Sequence, residues 1–160
     1  MGAMINTLID RQKAVIEACD YWVGESFRDK IDKLSEEEAF TRPIPGVHTV
    51  AELISHLLEW RKDNIRKLKG LAPKLLSIDA TENWIPNDEL KKRGWETLKQ
   101  DFYAGVEELC SLVVRMDDDF LSQCPKGETY TYFSILDGLI NHDIYHLGQI
   151  GITVKQISLR

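Results

Sequence analysis

The chain has 160 residues, 43% of them hydrophobic, which is enough for one well-filled core and short for two domains. A formal net charge of −6 and an isoelectric point near 5.2 argue against a general nucleic-acid footprint, because phosphate binding draws on a surplus of cations. Cys19, Cys110 and Cys124 are odd in number and lack C-x-x-C spacing, so neither a disulfide framework nor a cysteine zinc site is expected.

Reduced thiols, no signal-like N-terminus and no apolar run near the roughly 18 residues of a membrane span together imply a cytoplasmic protein without a membrane partner. Residues 1–3 of the opening MGAM read as an added leader ahead of Met4, and a single domain is expected over 4–160.

The first periodic segment runs from about Ile5 to Leu34, with Leu8, Val15, Ile16, Ala18, Cys19, Trp22 and Val23 at helical spacing and Gly24 as a point of bending. The acidic stretch SEEEAF at 35–40 reads as a solvated helix end. TRPIPGVH at 41–48, with two prolines and a glycine, must be a connection. Thr49 and Glu52 then form a T-x-x-E capping box that fixes the start of a second helix. Val50, Leu53, Ile54, Leu57, Ile65 and Leu68 supply its stripe, and Gly70 stops it. The basic run RKDNIRKLKG at 61–70 reads as its solvated end.

From Leu71 to Asn87 the pattern lapses, broken by Pro73 and Pro86, with Trp84 as an anchor and room for one short helical turn. A third helix is expected from a cap at Asp88 to about Met116, with Gly94 and Gly105 as weak points. The acidic DDD at 117–119 reads as solvated. After a turn at CPKGET, 124–129, a last helix is expected from about Tyr132 to Val154. Four long amphipathic segments without strand alternation give an all-α fold, a four-helix bundle.

The last helix holds the stretch NHDIYHLGQI at 141–150. His142 and His146 share the apolar strip of Ile135, Leu139 and Ile150, and a spacing of four stacks them on one face, where both can aim at one point. Two readings are open: core histidines bonded to neighbours, or a pair of metal ligands. Each buried imidazole needs a donor and an acceptor partner, and a divalent cation resolves both rings at once. A third ligand has two candidates. His48 reads as a turn or capping neighbour, whereas His56, at the edge of the second helix's stripe and one turn before Trp60, can face a partner helix across a cleft.

NHDIYHLGQI resembles the last-helix motif of the DinB/YfiT-like superfamily, H-[ED]-x-x-H-x-G-Q-[IL], and HTVAELISHLLEWR with the preceding RPIPG is similar to that family's second helix and its approach. The resemblance implies a bundle of up-down-down-up topology with a three-histidine metal site near one end, made of His56, His142 and His146. It further implies relatives that are metal-dependent thiol S-transferases using bacillithiol, mycothiol or glutathione, a mycothiol-dependent maleylpyruvate isomerase, and frequent homodimers.

Three nitrogen ligands leave coordination positions open for a small-molecule substrate, a low-molecular-weight thiol foremost. Zinc and nickel lead as the divalent ion, although imidazole ligands do not by themselves choose the metal. Asp143, in the place of the glutamate of H-E-x-x-H proteases, either orients a ligand or accepts a proton, or serves interhelical bonding. Gln149 either bonds a ring nitrogen from behind or ties the helix to a loop, and Tyr145 packs. Trp60 either walls the cleft or packs in the core. A thiol S-transferase or related detoxification enzyme is the expected function. The rivals are a hydrolase using metal-bound water and a non-catalytic, stress-related metal-binding or interaction protein. Exposed aromatics such as Trp84 or Tyr130 are candidates for an interface.

Overall fold

A computed structural model of the chain describes residues 2–17, 24–72, 74 and 81–159. Among them the secondary structure is helical, without strands. The expected first helix is divided. α1 (Ala3–Ile16) ends early, and α2 (Phe27–Ile31) starts anew after Gly24, whose φ of 77° leaves the helical region. Ala18, Cys19, Trp22 and Val23 of the expected stripe lie outside the described residues, as does Pro73.

Local hydrogen bonding made the division legible. Ser26 and Asp29 form a capping box, in which each side chain accepts from the other's backbone N–H. Ser35 and Glu38 repeat it at α3 (Glu36–Phe40), so SEEEAF is a helix start of its own, with Glu36 and Glu37 exposed as expected and Ala39 and Phe40 buried beneath it.

α4 (Val50–Leu68) begins at the expected capping box of Thr49 and Glu52 and ends before Gly70, at φ 69°. A 3-10 turn at Thr81–Asn83 precedes α5 (Asn87–Arg93). The third expected helix is also divided: Gly94, at φ 84°, ends α5 and opens α6 (Trp95–Val113). Asp88 lies inside the first turn of α5, where the N-cap position belongs to Pro86, so it supplies charge to the helix start and not the cap. The triplet at 117–119 is also employed. Asp117 caps α7 (Asp118–Leu121), and Asp118 accepts from the backbone N–H groups of Met4 and Ile5 at the start of α1. α8 (Tyr132–Ser158) runs past Val154.

The long members are α1, α4, α6 and α8. α4 lies against both α6 and α8, and α1 against α8, around a core that includes Ile54, Leu57, Leu98, Phe102 and Ile150. The start of the expected basic end of α4 is interior: Arg61 is 0% exposed and Asp63 1%. Arg61 falls four residues after Leu57 and four before Ile65, on the apolar stripe itself, and that placement overrides its charge.

Candidate metal centre

Two helices bring the three histidines together. His56 comes from α4, one turn after the Glu52 that fixes the start of that helix, while His142 and His146 come from α8. His56 and His146 are buried and His142 half-buried. The Nε2 atom of His142 lies 3.1 Å from that of His56 and 3.0 Å from that of His146.

The remote ring nitrogens decide what those Nε2 atoms carry. Nδ1 of His56 donates to the backbone carbonyl of Asn83 at 3.0 Å, and Nδ1 of His146 donates to Oε1 of Gln149 at 2.7 Å. Both acceptors lack a hydrogen to give, so in each neutral ring the hydrogen sits on Nδ1 and Nε2 presents a bare lone pair. His142 has at most one hydrogen for its Nε2, which can serve only one of the two well. Extra protons do not come readily. Burial pushes His142 down to about 4, helped by His146, His56 and the Arg61 guanidinium, and burial also lowers His56 and His146.

Converging lone pairs without hydrogens are what a Lewis-acidic cation requires. A tetrahedral ion at about 2.0–2.1 Å from each imidazole nitrogen would space its ligands by about 3.3 Å. Both His142 distances are near that, and the three ligand atoms as a set lie within 4.8 Å of one another, so the rings draw together on an ion. The three residues therefore fit a metal ion by donor type, protonation and spacing.

The walls are aromatic. Trp84 is half-buried and stacks between His48 and His56, with ring centroids 3.7 and 4.1 Å away and planes within 8° of parallel. It serves the site, as does Trp60, which presents an edge to both His56 and His142 and donates from its indole to Oδ1 of Asn83 at 2.9 Å. Asn83 thus holds one histidine with its backbone and one tryptophan with its side chain. Tyr145 is 63% exposed and stands edge-on to His146, so it forms a rim and not packing. Tyr130 is half-buried under Lys67. Trp60, Asn83, Trp84, Tyr145 and Gln149 surround a cavity of about 340 Å³ over the three histidines.

His48 is outside the trio. Its Nδ1 lies 3.3 Å from Oε2 of Glu52, whose other oxygen accepts from Arg42 at 2.6 Å. Asp143 is engaged elsewhere: it accepts from Nη2 of Arg61 at 2.8 and 2.7 Å and from Nε2 of Gln12 at 2.7 Å, joining α8 to α4 and α1. The placements of Asn83, Trp84, Arg61 and Gln12 around the site went unread in the sequence. Only Arg61 carried a signal, its position on the α4 stripe.

An all-helical protein with a pocket-facing trio of imidazoles defines the class. The DinB superfamily model matches residues 21–150, and the chain belongs to that superfamily. No curated protein matches it. Among solved structures, one described as the conserved protein of a locus from Enterococcus faecalis is similar over 100% of this chain and 99% of its own, at 20% identity and a TM-score of 0.70, a likeness of fold. No described helix is long and apolar enough to cross a membrane.

Proposed function

We propose that the protein is a divalent-metal-dependent enzyme whose ligands are His56, His142 and His146, and that it transfers a low-molecular-weight thiol to a small electrophile, as a detoxifying S-transferase. The observation that carries its metal part is the pair of bare Nε2 lone pairs on His56 and His146 converging on His142, each ring locked from behind by Asn83 or Gln149. The thiol-transfer part rests on the family resemblance of the two histidine motifs. Such locking fixes tautomer and aim before a cation arrives. Zinc or nickel is the proposed ion, in a four-helix bundle of up-down-down-up order built on α1, α4, α6 and α8.

Bound there, the ion would supply Lewis acidity, lowering the proton affinity of a thiol or water beside it. The chain's own residues do the rest. Trp60 and Trp84 exclude water from one side of the rings, and the open side toward Tyr145 admits a small molecule. Asp143 contributes by joining α4 to α8, since its oxygens are occupied by Arg61 and Gln12.

The test is elemental analysis of protein purified without chelator, followed by cobalt substitution and addition of a thiol. One metal per chain and a thiol-dependent change in the cobalt absorption are expected. Protein that stays empty after reconstitution with zinc, nickel and cobalt would refute the metal reading. Turnover of esters or amides by the loaded protein without thiol would replace the transferase by a hydrolase.

A further inference from the structure

Beyond the histidines, α4 and α8 leave a groove of about 370 Å³ between them, within the range of small-molecule sites. It starts at Trp60 and His142 and ends at Lys67 and Tyr130. Trp60, Asn64 and Lys67 follow one another along one face of α4, and seven residues of helix make the groove about 10 Å long. Its α8 wall is apolar at Ile135 and Leu139. Between them lies Gly138, where an added Cβ would meet nothing within 4 Å, so the missing side chain keeps the floor open.

The far end is polar without being cationic. Lys67 donates to the Tyr130 hydroxyl at 3.0 Å, and carboxylates of Asp63 and Glu128 stand 3.5 and 3.9 Å from its ammonium. Burial pulls Lys67 down, yet the Tyr130 hydroxyl and Asp63 outweigh it and hold the ammonium charged. Two carboxylates against one ammonium repel an anion, while the hydrogens left on Nζ still welcome a neutral acceptor.

We propose that this groove is the substrate subsite of the histidine centre, and that it takes an elongated, uncharged small molecule with an apolar middle and a hydroxyl or amide at the end remote from the metal. This rests on the metal reading above, to which it adds the class of substrate. The juxtaposition is directional: a reacting atom beside His142 places the other terminus at Lys67.

The experiment titrates cobalt-loaded protein with ω-mercaptoalkanols of graded length, the longest reaching about 10 Å, alongside the matching alkanethiols and ω-mercaptoalkanoates. Affinity is read by calorimetry and by the cobalt absorption. It should climb with length until the chain spans the groove, where the alcohol binds about fivefold tighter than the alkanethiol of the same length and also tighter than the carboxylate.

Gly138→Leu, which also restores helix propensity, should keep the metal and the shortest probe but abolish the climb. Lys67→Met should remove the alcohol's advantage alone. Affinity independent of length, a climb that survives Gly138→Leu, or a preference for the carboxylate would each overturn the groove assignment. Failure of even the shortest thiol to perturb the cobalt spectrum is a separate result: it removes the metal–thiol reading, and the subsite with it.

Discussion

Two polar clusters join α4 to α8, and they are opposites. The histidine trio is half-open, neutral, and rich in acceptors that lack hydrogens. The Arg61–Asp143–Gln12 cluster is closed, with Arg61 at 0% and Asp143 at 1% exposure, and it has donors to spare, because Nε and Nη1 of Arg61 find no partner among the described residues. An acceptor-rich, accessible cluster attracts a cation. A charge-paired, buried one holds helices in register. The comparison teaches that a motif of nine residues, HDIYHLGQI, serves both: His142 and His146 go to the first cluster and Asp143, between them in sequence, to the second.

The sharpest way to break the comparison is to leave one charge of the closed cluster alone. Asp143→Ala should destabilise by about 3–5 kcal/mol in urea unfolding, because the buried guanidinium loses its counter-charge. The double change Arg61→Met with Asp143→Leu should recover most of that loss. A single variant of wild-type stability would mean that water reaches Arg61.

The open cluster should behave the other way. His142→Ala is expected to keep the circular dichroism and thermal midpoint of the metal-free protein within a few degrees. It should lower metal affinity by more than the roughly 100-fold that supporting residues contribute. Gln149→Ala, which removes the acceptor behind His146, should cost about 10–100-fold in metal affinity while leaving the stoichiometry unchanged. Equal affinity in wild type and this variant would assign Gln149 to loop packing.

The last effect is that of pH on the metal-free protein. His142 binds its proton near 4 when folded and near 6.5 when unfolded, so between these values the unfolded chain takes up more protons. Stability should be fully present above about 6.5 and decline as pH falls toward 4, with metal-loaded protein resisting the decline until protons displace the ion. Chemical unfolding at a series of pH values would show it, and a shallower decline in His142→Ala would assign that part of the slope to this ring, the remainder belonging to His56 and His146, which burial also lowers.

Much of the local structure was legible because its causes lie within one turn of chain. Thr49 and Glu52 mark the start of α4, Gly70 its end, and the four-residue spacing puts His142 and His146 on one face. The same rules applied at Ser26 and Ser35 mark α2 and α3. Running one segment from Ile5 to Leu34, and giving α3 no start of its own, let hydrophobic periodicity outweigh capping chemistry. Gly94 was seen as a weak point, and only its backbone at φ 84° makes it a boundary.

The sequence by itself determined the all-helical class, the histidine pair on α8 and the candidacy of His56, because periodicity and spacing are properties of a single helix. Only the tertiary structure decided that His56 meets His142, that Asn83 and Trp84 fold over the trio, and that Asp143 belongs to Arg61 and Gln12. Those partners stand 86, 27, 82 and 131 residues apart for His56–His142, His56–Asn83, Arg61–Asp143 and Gln12–Asp143. A contact across such separations is set by how the helices pack, and the burial that packing imposes leaves the imidazoles neutral and ready for a cation.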